Sequence, residues 1–313
     1  MYIELHSHSC FSLLDGASRP EALVARAAEL GMPALALTDN DALYGAVIFW
    51  RAANEAGIKP IFGAEVTVEP LQPLSRPLPA AERGARGRFP LLTENPIGFA
   101  NLTQLITKAR LRSAKGQALV TWDDLTTHRA GLIALSGGRQ SLIAQHLLAG
   151  RFEMAQQTAR RIREIFGPGH FFIELQRQGR PDDERLVQAL LALAERENLP
   201  VVATNDVHYA TRDGHRLHDV LVAISHLATL DESHHQRRGN SEAHLKSAAE
   251  MARLFADRPD ALLVLRLTEG EGWAELCAFL GCPVPDHAFP RVNAAGPVTA
   301  VVNRSRDRAR RLL

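Results

Sequence analysis

The sequence predicts an α/β fold in which six or seven parallel strands alternate with amphipathic helices and close into a barrel. Short β-branched or apolar runs are repeatedly followed by a helical pattern of three to four turns. The unusual polar residues His6, His8, Asp39, Glu65 and Asp206 all fall at the C-terminal ends of such runs. In a barrel those ends converge on one rim, where reactive groups gather. No glycine-rich phosphate loop follows the first run, which argues against an open dinucleotide-binding sheet.

Strands are expected at 2–8, 34–39, 60–68, 131–137, 170–176 and 200–206, with a weaker one at 88–93. Between them lie helices at 19–31, 43–57, 97–113, 140–166 and 182–198. The first has Ser18 as N-cap, Pro20 in its first turn and Gly31 as its stop. The segment 70–88 is rich in Pro, Gly, Ala and Arg and reads as a solvated surface loop. Its Arg76, Arg83, Arg86 and Arg88 could touch a phosphate backbone. Beyond residue 260 the pattern changes to a strand at 262–267, a helix at 272–281 with Trp273, Leu276, Phe279 and Leu280 on its apolar face, and a basic tail at 304–311. The expected organisation is therefore a domain at 1–260 and a small C-terminal appendage at 261–313.

Hydrophobic residues make up 46% and charged residues 23% of the 313, which excludes disordered and fibrous classes. A balance of 36 basic against 35 acidic residues leaves +1, too little to capture nucleic acid by net charge, so any such binding must come from a local patch. Cys10, Cys277 and Cys282 are too few for a disulfide framework or a four-cysteine zinc site, which fits a reducing compartment and a cytoplasmic location. The start of the chain lacks a signal-peptide pattern, and no run approaches the ~20 apolar residues of a membrane span.

On a strand, residues two apart share a face, so His6 and His8 present paired imidazoles suited to zinc, manganese or iron. Asp15-Gly16, Thr38-Asp39, Gly63-Ala64-Glu65 and Asn205-Asp206-Val207-His208 add carboxylates and a third imidazole. Taken singly, Asp39 and Asp206 read as helix caps, Asp15-Gly16 as a turn and Glu65 as a surface charge. Gathered at one rim, they favour a metal site, because carboxylates and imidazoles held together need a cation to neutralise them.

The stretches HSHSCFS, Asp15-Gly16, LTDNDALYGAVIFWRAANEAGIKPIFGAE and ATNDVHY resemble the PHP (polymerase and histidinol phosphatase) domain of the alpha subunit of bacterial C-family DNA polymerases. ENPIGFANLTQLITKARL, GLIALSGG and HLKSAAEMARLF look most like the error-prone branch. The resemblance covers roughly residues 1–260 and implies a distorted (β/α)7 barrel, related to the TIM barrel, with up to three divalent transition metals (Zn, Mn or Fe) at the strand C-termini. By motif, one ion would be held by His6, His8, Glu65 and Asp206. A second would share Glu65. A third would use Asp15, the residue after Asp39, and His208.

The sequence departs from that pattern at three ligand positions, where Asn40, Arg88 and Gly138 replace two histidines and a cysteine. One site is thus expected intact, one half intact and one lost, giving fewer than three ions and a partly degenerate phosphoesterase site. The resemblance implies a role in DNA replication or repair, with DNA 3′ ends or a replication protein as partner. Neither polymerase domains nor their active site are expected within 313 residues. The alternatives are a stand-alone metal-dependent phosphoesterase, of 3′-5′ exonuclease or histidinol phosphatase type, and a metal-free structural or partner-binding module. After about residue 261 the chain resembles a C-terminal piece of a sulfotransferase-like family without its phosphosulfate loop, so no sulfotransferase activity is expected.

Overall fold

The computed structural model describes residues 2–71 and 86–257, together with the backbone of two strands at 262–266 and 299–303. The chain runs α1 (Pro20–Glu29), β1 (Ala34–Leu37), α2 (Ala46–Glu55), β2 (Lys59–Val68), β3 (Gly87–Thr93), α3 (Pro96–Arg112), α4 (Trp122–His128), β4 (Leu132–Leu135), α5 (Leu142–Leu148), α6 (Phe152–Phe166), β5 (Phe171–Leu175), α7 (Asp183–Glu197) and β6 (Val201–Ala203). It continues through α8 (His215–Ser225), α9 (Ala248–Leu254) and the antiparallel pair β7 (Leu262–Arg266) and β8 (Thr299–Asn303).

Strands β1 to β6 form one sheet in sequence order. The N-terminal segment closes it. Expected as a full strand, residues 2–8 make only isolated parallel bridges, Glu4 to Leu35 on one side and Ser7 to Val207 on the other. The His8 amide donates to the Val207 carbonyl at 2.7 Å and the Thr38 amide to the Ser7 carbonyl at 2.8 Å, so the segment is a seventh stave between β1 and the chain beyond β6. The packing agrees with closure. Ala36, Leu92, Ile133, Leu135, Phe172 and Val202 form a small buried cluster joined by Leu5 and Ile61, one or two residues from every stave. Side chains from all seven staves meet only if the sheet curls on itself. The alternate residues, including Leu35, Leu91, Ala134 and Ile173, point outward into the larger core beneath the helices. Each large apolar side chain buried there contributes about 1.5–3 kcal/mol.

One strand runs against the parallel expectation. β3 is antiparallel to both β2 and β4. Its first residue pairs with the last of β2, Gly87 with Val68, so the chain folds back beside β2 instead of crossing over the barrel. The reversal places Arg88, at the start of β3, on the same rim as the C-terminal ends of the parallel strands. Arg88 is therefore a strand residue, not part of a solvated loop; most of that loop, with Arg76 and Arg83, lies outside the described residues.

Three local expectations are also corrected. The helix expected over 140–166 is two, α5 and α6, separated at Gly150, whose φ of 72° ends the first. Ser18 does not cap α1; Arg19 occupies the N-cap without a side-chain bond, while Ser18 Oγ accepts the Ala210 amide at 2.9 Å. Helices α4 and α9 were not expected, although each opens with a capping box, Thr121 with Asp124 and Ser247 with Glu250. In the C-terminal part, β7 matches the expected strand, and the expected helix at 272–281 and basic tail at 304–311 fall outside the described residues.

Candidate metal centre

The rim gathers His6, His8, Asp15, Glu65, Asp206 and His208. His6 and His8 lie on the closing segment, with Nε2 atoms 3.1 Å apart. Glu65 arrives from β2 with Oε1 3.6 Å from His6 Nε2. Asp206 follows β6 in a left-handed conformation, φ 47°, which aspartate tolerates better than most residues. Its Oδ1 stands 3.6 Å from His6 Nε2 and 3.4 Å from His8 Nε2. His208 Nδ1 is 3.5 Å from the same oxygen, and His208 Nε2 is 3.0 Å from Asp15 Oδ1. Asp15 reaches the rim because Gly16 lets its loop close on the chain: a Cβ at Gly16 would lie 1.9 Å from the Ser9 carbonyl oxygen.

Hydrogen bonds behind the imidazoles fix which nitrogens face inward. His6 Nδ1 donates to Glu174 Oε1 at 2.7 Å, which leaves Nε2 as the lone-pair nitrogen of the neutral ring. His8 Nδ1 lies 3.1 Å from Ser12 Oγ. That hydroxyl spends its hydrogen on Asp39 Oδ1 at 2.7 Å, so it accepts from His8 and leaves His8 Nε2 bare as well. Asp39 itself is removed from the candidate ligands, since its carboxylate also accepts the Ser9 amide and hydroxyl at 2.7 and 2.8 Å. Two lone-pair nitrogens and two carboxylates thus face one another with no hydrogen among them. Such a set is stable only around a positive charge, a proton or a metal ion.

The electrostatics follow. Burial works to lower the pKa of His6, but Glu174, Asp206 and Glu65 raise it to about 10. Against the same burial, Asp206 and Glu65 hold His8 above its ordinary value. Asp206 sits well below the carboxylate range despite its burial, held there by His208, His8, His6 and Arg238. Burial pushes Glu65 up. Burial and the neighbouring Arg238 guanidinium keep His208 low. Two imidazoles and two carboxylates at this spacing fit a divalent transition metal.

The three departures occupy the same rim. Asn40 Nδ2 donates to Asp15 Oδ2 at 2.7 Å. Arg88 Nη1 lies 3.9 Å from Glu65 Oε2, a fixed positive charge beside the carboxylate that a second ion would share. Gly138 leaves room that Gln176 fills: a Cβ there would come 2.6 Å from Gln176 Oε1. Sequence reading passed over Glu174, Gln176, His218 and Arg238. Glu174 had a signal, a carboxylate inside the apolar run of β5. The others had none, because only the fold brings them to the rim.

A PHP domain model matches residues 4–178, more than half of the chain. The chain belongs to the PHP domain family. It is 38% identical to the DNA polymerase III subunit alpha of Vibrio cholerae over 263 residues, 83% of this chain and 22% of that protein. It is 40% identical to the error-prone DNA polymerase of Symbiobacterium thermophilum over 277 residues, 83% of this chain and 24% of that protein. This PHP domain chain thus spans about a quarter or less of the length of those relatives. Among solved structures, an amidohydrolase from Chromobacterium violaceum superposes with a TM-score of 0.45 at 18% identity, covering 66% of this chain and 88% of that one. A sulfotransferase domain model matches residues 188–298, beginning well before residue 261 and inside α7, so that its first part belongs to the PHP barrel. Among the described residues no helix is long and apolar enough to cross a membrane.

Proposed function

We propose that this PHP domain holds a divalent transition metal (zinc, manganese or iron) through His6 Nε2, His8 Nε2, Glu65 and Asp206, and serves a polymerase-type protein in DNA replication or repair. The observation that carries the reading is the ring of inward-facing acceptors, with each imidazole oriented by a hydrogen bond on its far side. A bound ion of this kind polarises a phosphoryl oxygen and offsets the charge that develops on it. The chain's own groups would do the rest. Glu174 and Ser12 hold the two imidazoles in the ligating tautomer. Arg88 and Arg238, beside Glu65 and Asp206, present guanidinium groups to phosphate oxygens of a DNA 3′ end.

Phosphoester hydrolysis is proposed to be slow. Efficient catalysis of this type uses two ions to clamp the attacking and leaving oxygens, and the position that would share Glu65 has Arg88 and Gly138 where ligands are needed. The test is metal content and hydrolysis measured on the same preparation, purified without chelator. At least one ion per chain, lost in His6→Ala, with turnover of a phosphomonoester or a DNA 3′ end well below ~1 per second, supports the reading. Turnover at or above that rate would favour a stand-alone phosphoesterase. No bound metal would favour a structural or partner-binding module.

A further inference from the structure

We propose that the cleft between α8 and the loop that follows it, lined by His215, Asp219, His234, Arg237, Arg238 and Ser241, binds a phosphate group of a nucleotide or DNA strand. The anion site stands on residues outside the metal-ligand set. Only the choice of a nucleotide as its carrier rests on the reading of the rim given above.

The cleft has a volume of about 420 Å³, within the roughly 300–1,000 Å³ of small-molecule sites. His215 and Asp219, four residues apart on α8, share one face of the helix. His215 Nδ1 donates to the Arg212 carbonyl at 2.9 Å and His234 Nδ1 to the Asp231 carbonyl at 3.2 Å. Each ring therefore keeps Nε2 for a ligand, and a second proton taken up there makes it a donor to a phosphate oxygen. The Ser241 hydroxyl adds another donor.

The guanidinium groups decide the sign of the ligand. Arg237 Nη1 donates to Asp219 Oδ2 at 3.0 Å, so the one carboxylate on the cleft wall is already met, while Arg237 Nε is buried without a hydrogen-bond partner. Arg238 Nη1 donates to Gln178 Oε1 at 2.8 Å, a neutral partner, and its Nη2 reaches Asp206 Oδ2 only at 3.4 Å. Burial, Arg238 and Arg139 together hold the half-buried Arg180 guanidinium below its ordinary pKa, so Arg238 already stands among repelling neighbours. Two guanidinium groups facing one neutralised carboxylate repel a metal ion and attract an anion. Phosphate suits them, since its oxygens take the paired donors that a guanidinium offers. Arg238 also touches the rim, so the cleft can take a phosphate of a strand whose 3′ end lies against Asp206.

The test is calorimetric titration of the full chain, freed of metal by chelator, with thymidine 5′-monophosphate and with the dinucleotide dTpdT. The unaltered chain and His6→Ala should bind alike, and Arg237→Gln should weaken binding roughly 10- to 100-fold, the effect of losing a charge-assisted hydrogen bond. If Arg237→Gln does not melt cooperatively, His234→Ala, at an exposed position, decides in its place. Tighter binding of dTpdT assigns the phosphate to a DNA strand, and tighter binding of the mononucleotide to a free nucleotide. Unchanged affinity in the deciding variant overturns the proposal. Binding that appears only after metal is added and vanishes in His6→Ala also overturns it, while leaving the metal site standing. Binding by the metal-free chain that is lost in Arg237→Gln, in a protein that takes up no metal, supports the cleft and removes the metal site.

Discussion

His6 Nε2 and His8 Nε2 meet at 3.1 Å, and neither has a hydrogen to give the other while both rings are neutral. Glu174 and Ser12 occupy the opposite nitrogens, and Glu65 and Asp206 complete the ring of acceptors. The contact is therefore conditional on a positive charge, and the rim's response to metal and to pH follows from which charge is supplied.

Without metal, that charge is a proton. The His6 pKa rises from 6.5 to about 10 in the fold, so protonation favours the folded state; this stabilisation is complete below pH 6.5 and is lost as pH climbs to about 10. Glu4, buried on the same segment and raised from 4.5 to about 7 by that burial, adds a loss in the same direction as pH passes through neutrality. Chelator-treated protein should melt at progressively lower temperature across this range, while metal-loaded protein should resist the fall. Parallel melting curves that do not diverge with pH would contradict the assignment.

Glu174 would act on a metal held by His6 through the far side of that imidazole. Replacing it by glutamine allows either end of the amide to meet His6 Nδ1 and removes the charge that holds the ring in place. Glu174→Gln should weaken metal binding roughly 10- to 100-fold, the usual cost of losing an outer partner of a ligating histidine. The check is a competition titration with a metal-sensitive dye, and unchanged affinity would show that His6 needs no such support.

Rebuilding the lost ligands should add ions and activity, but not by ligand changes alone. Asn40→His, Arg88→His and Gly138→Cys restore the motif, yet a Cβ at position 138 would meet Gln176 Oε1 at 2.6 Å. Adding Gln176→Ala makes the room, so the quadruple variant should exceed the triple in both metal content and phosphate release. Equal behaviour of the two would mean that Gln176 swings clear on its own.

Chains shortened to residues 1–260 should retain a cooperative melt and bind metal as the full chain does. Every stave and every residue of the inner cluster precedes that point, and β7 and β8 pair with each other. Aggregation, or a broadened transition, would show that later residues supply part of the barrel's core.

Much of this protein was legible in one dimension. Strand and helix order is a local property, carried by the period of apolar residues, and all six sheet strands fall where runs were expected, β3 differing only in its direction. The rim placement of His6, His8 and Asp206 follows from the same logic, since a polar residue ending a buried run has only the barrel mouth to face; Glu65, expected at a strand end, lies inside β2. What the tertiary structure alone decided are relations between distant residues. The direction of β3 depends on whether the chain crosses over or folds back. Closure depends on Glu4 and Ser7 finding Leu35 and Val207. The tautomer of His6 is set by Glu174, 168 residues away, and the space at Gly138 is taken by Gln176. His218 reaches Asp15 only because α8 packs across the rim. None of these contacts leaves a periodic trace in the sequence, because each is fixed by packing between elements and not by the conformational preference of any one of them.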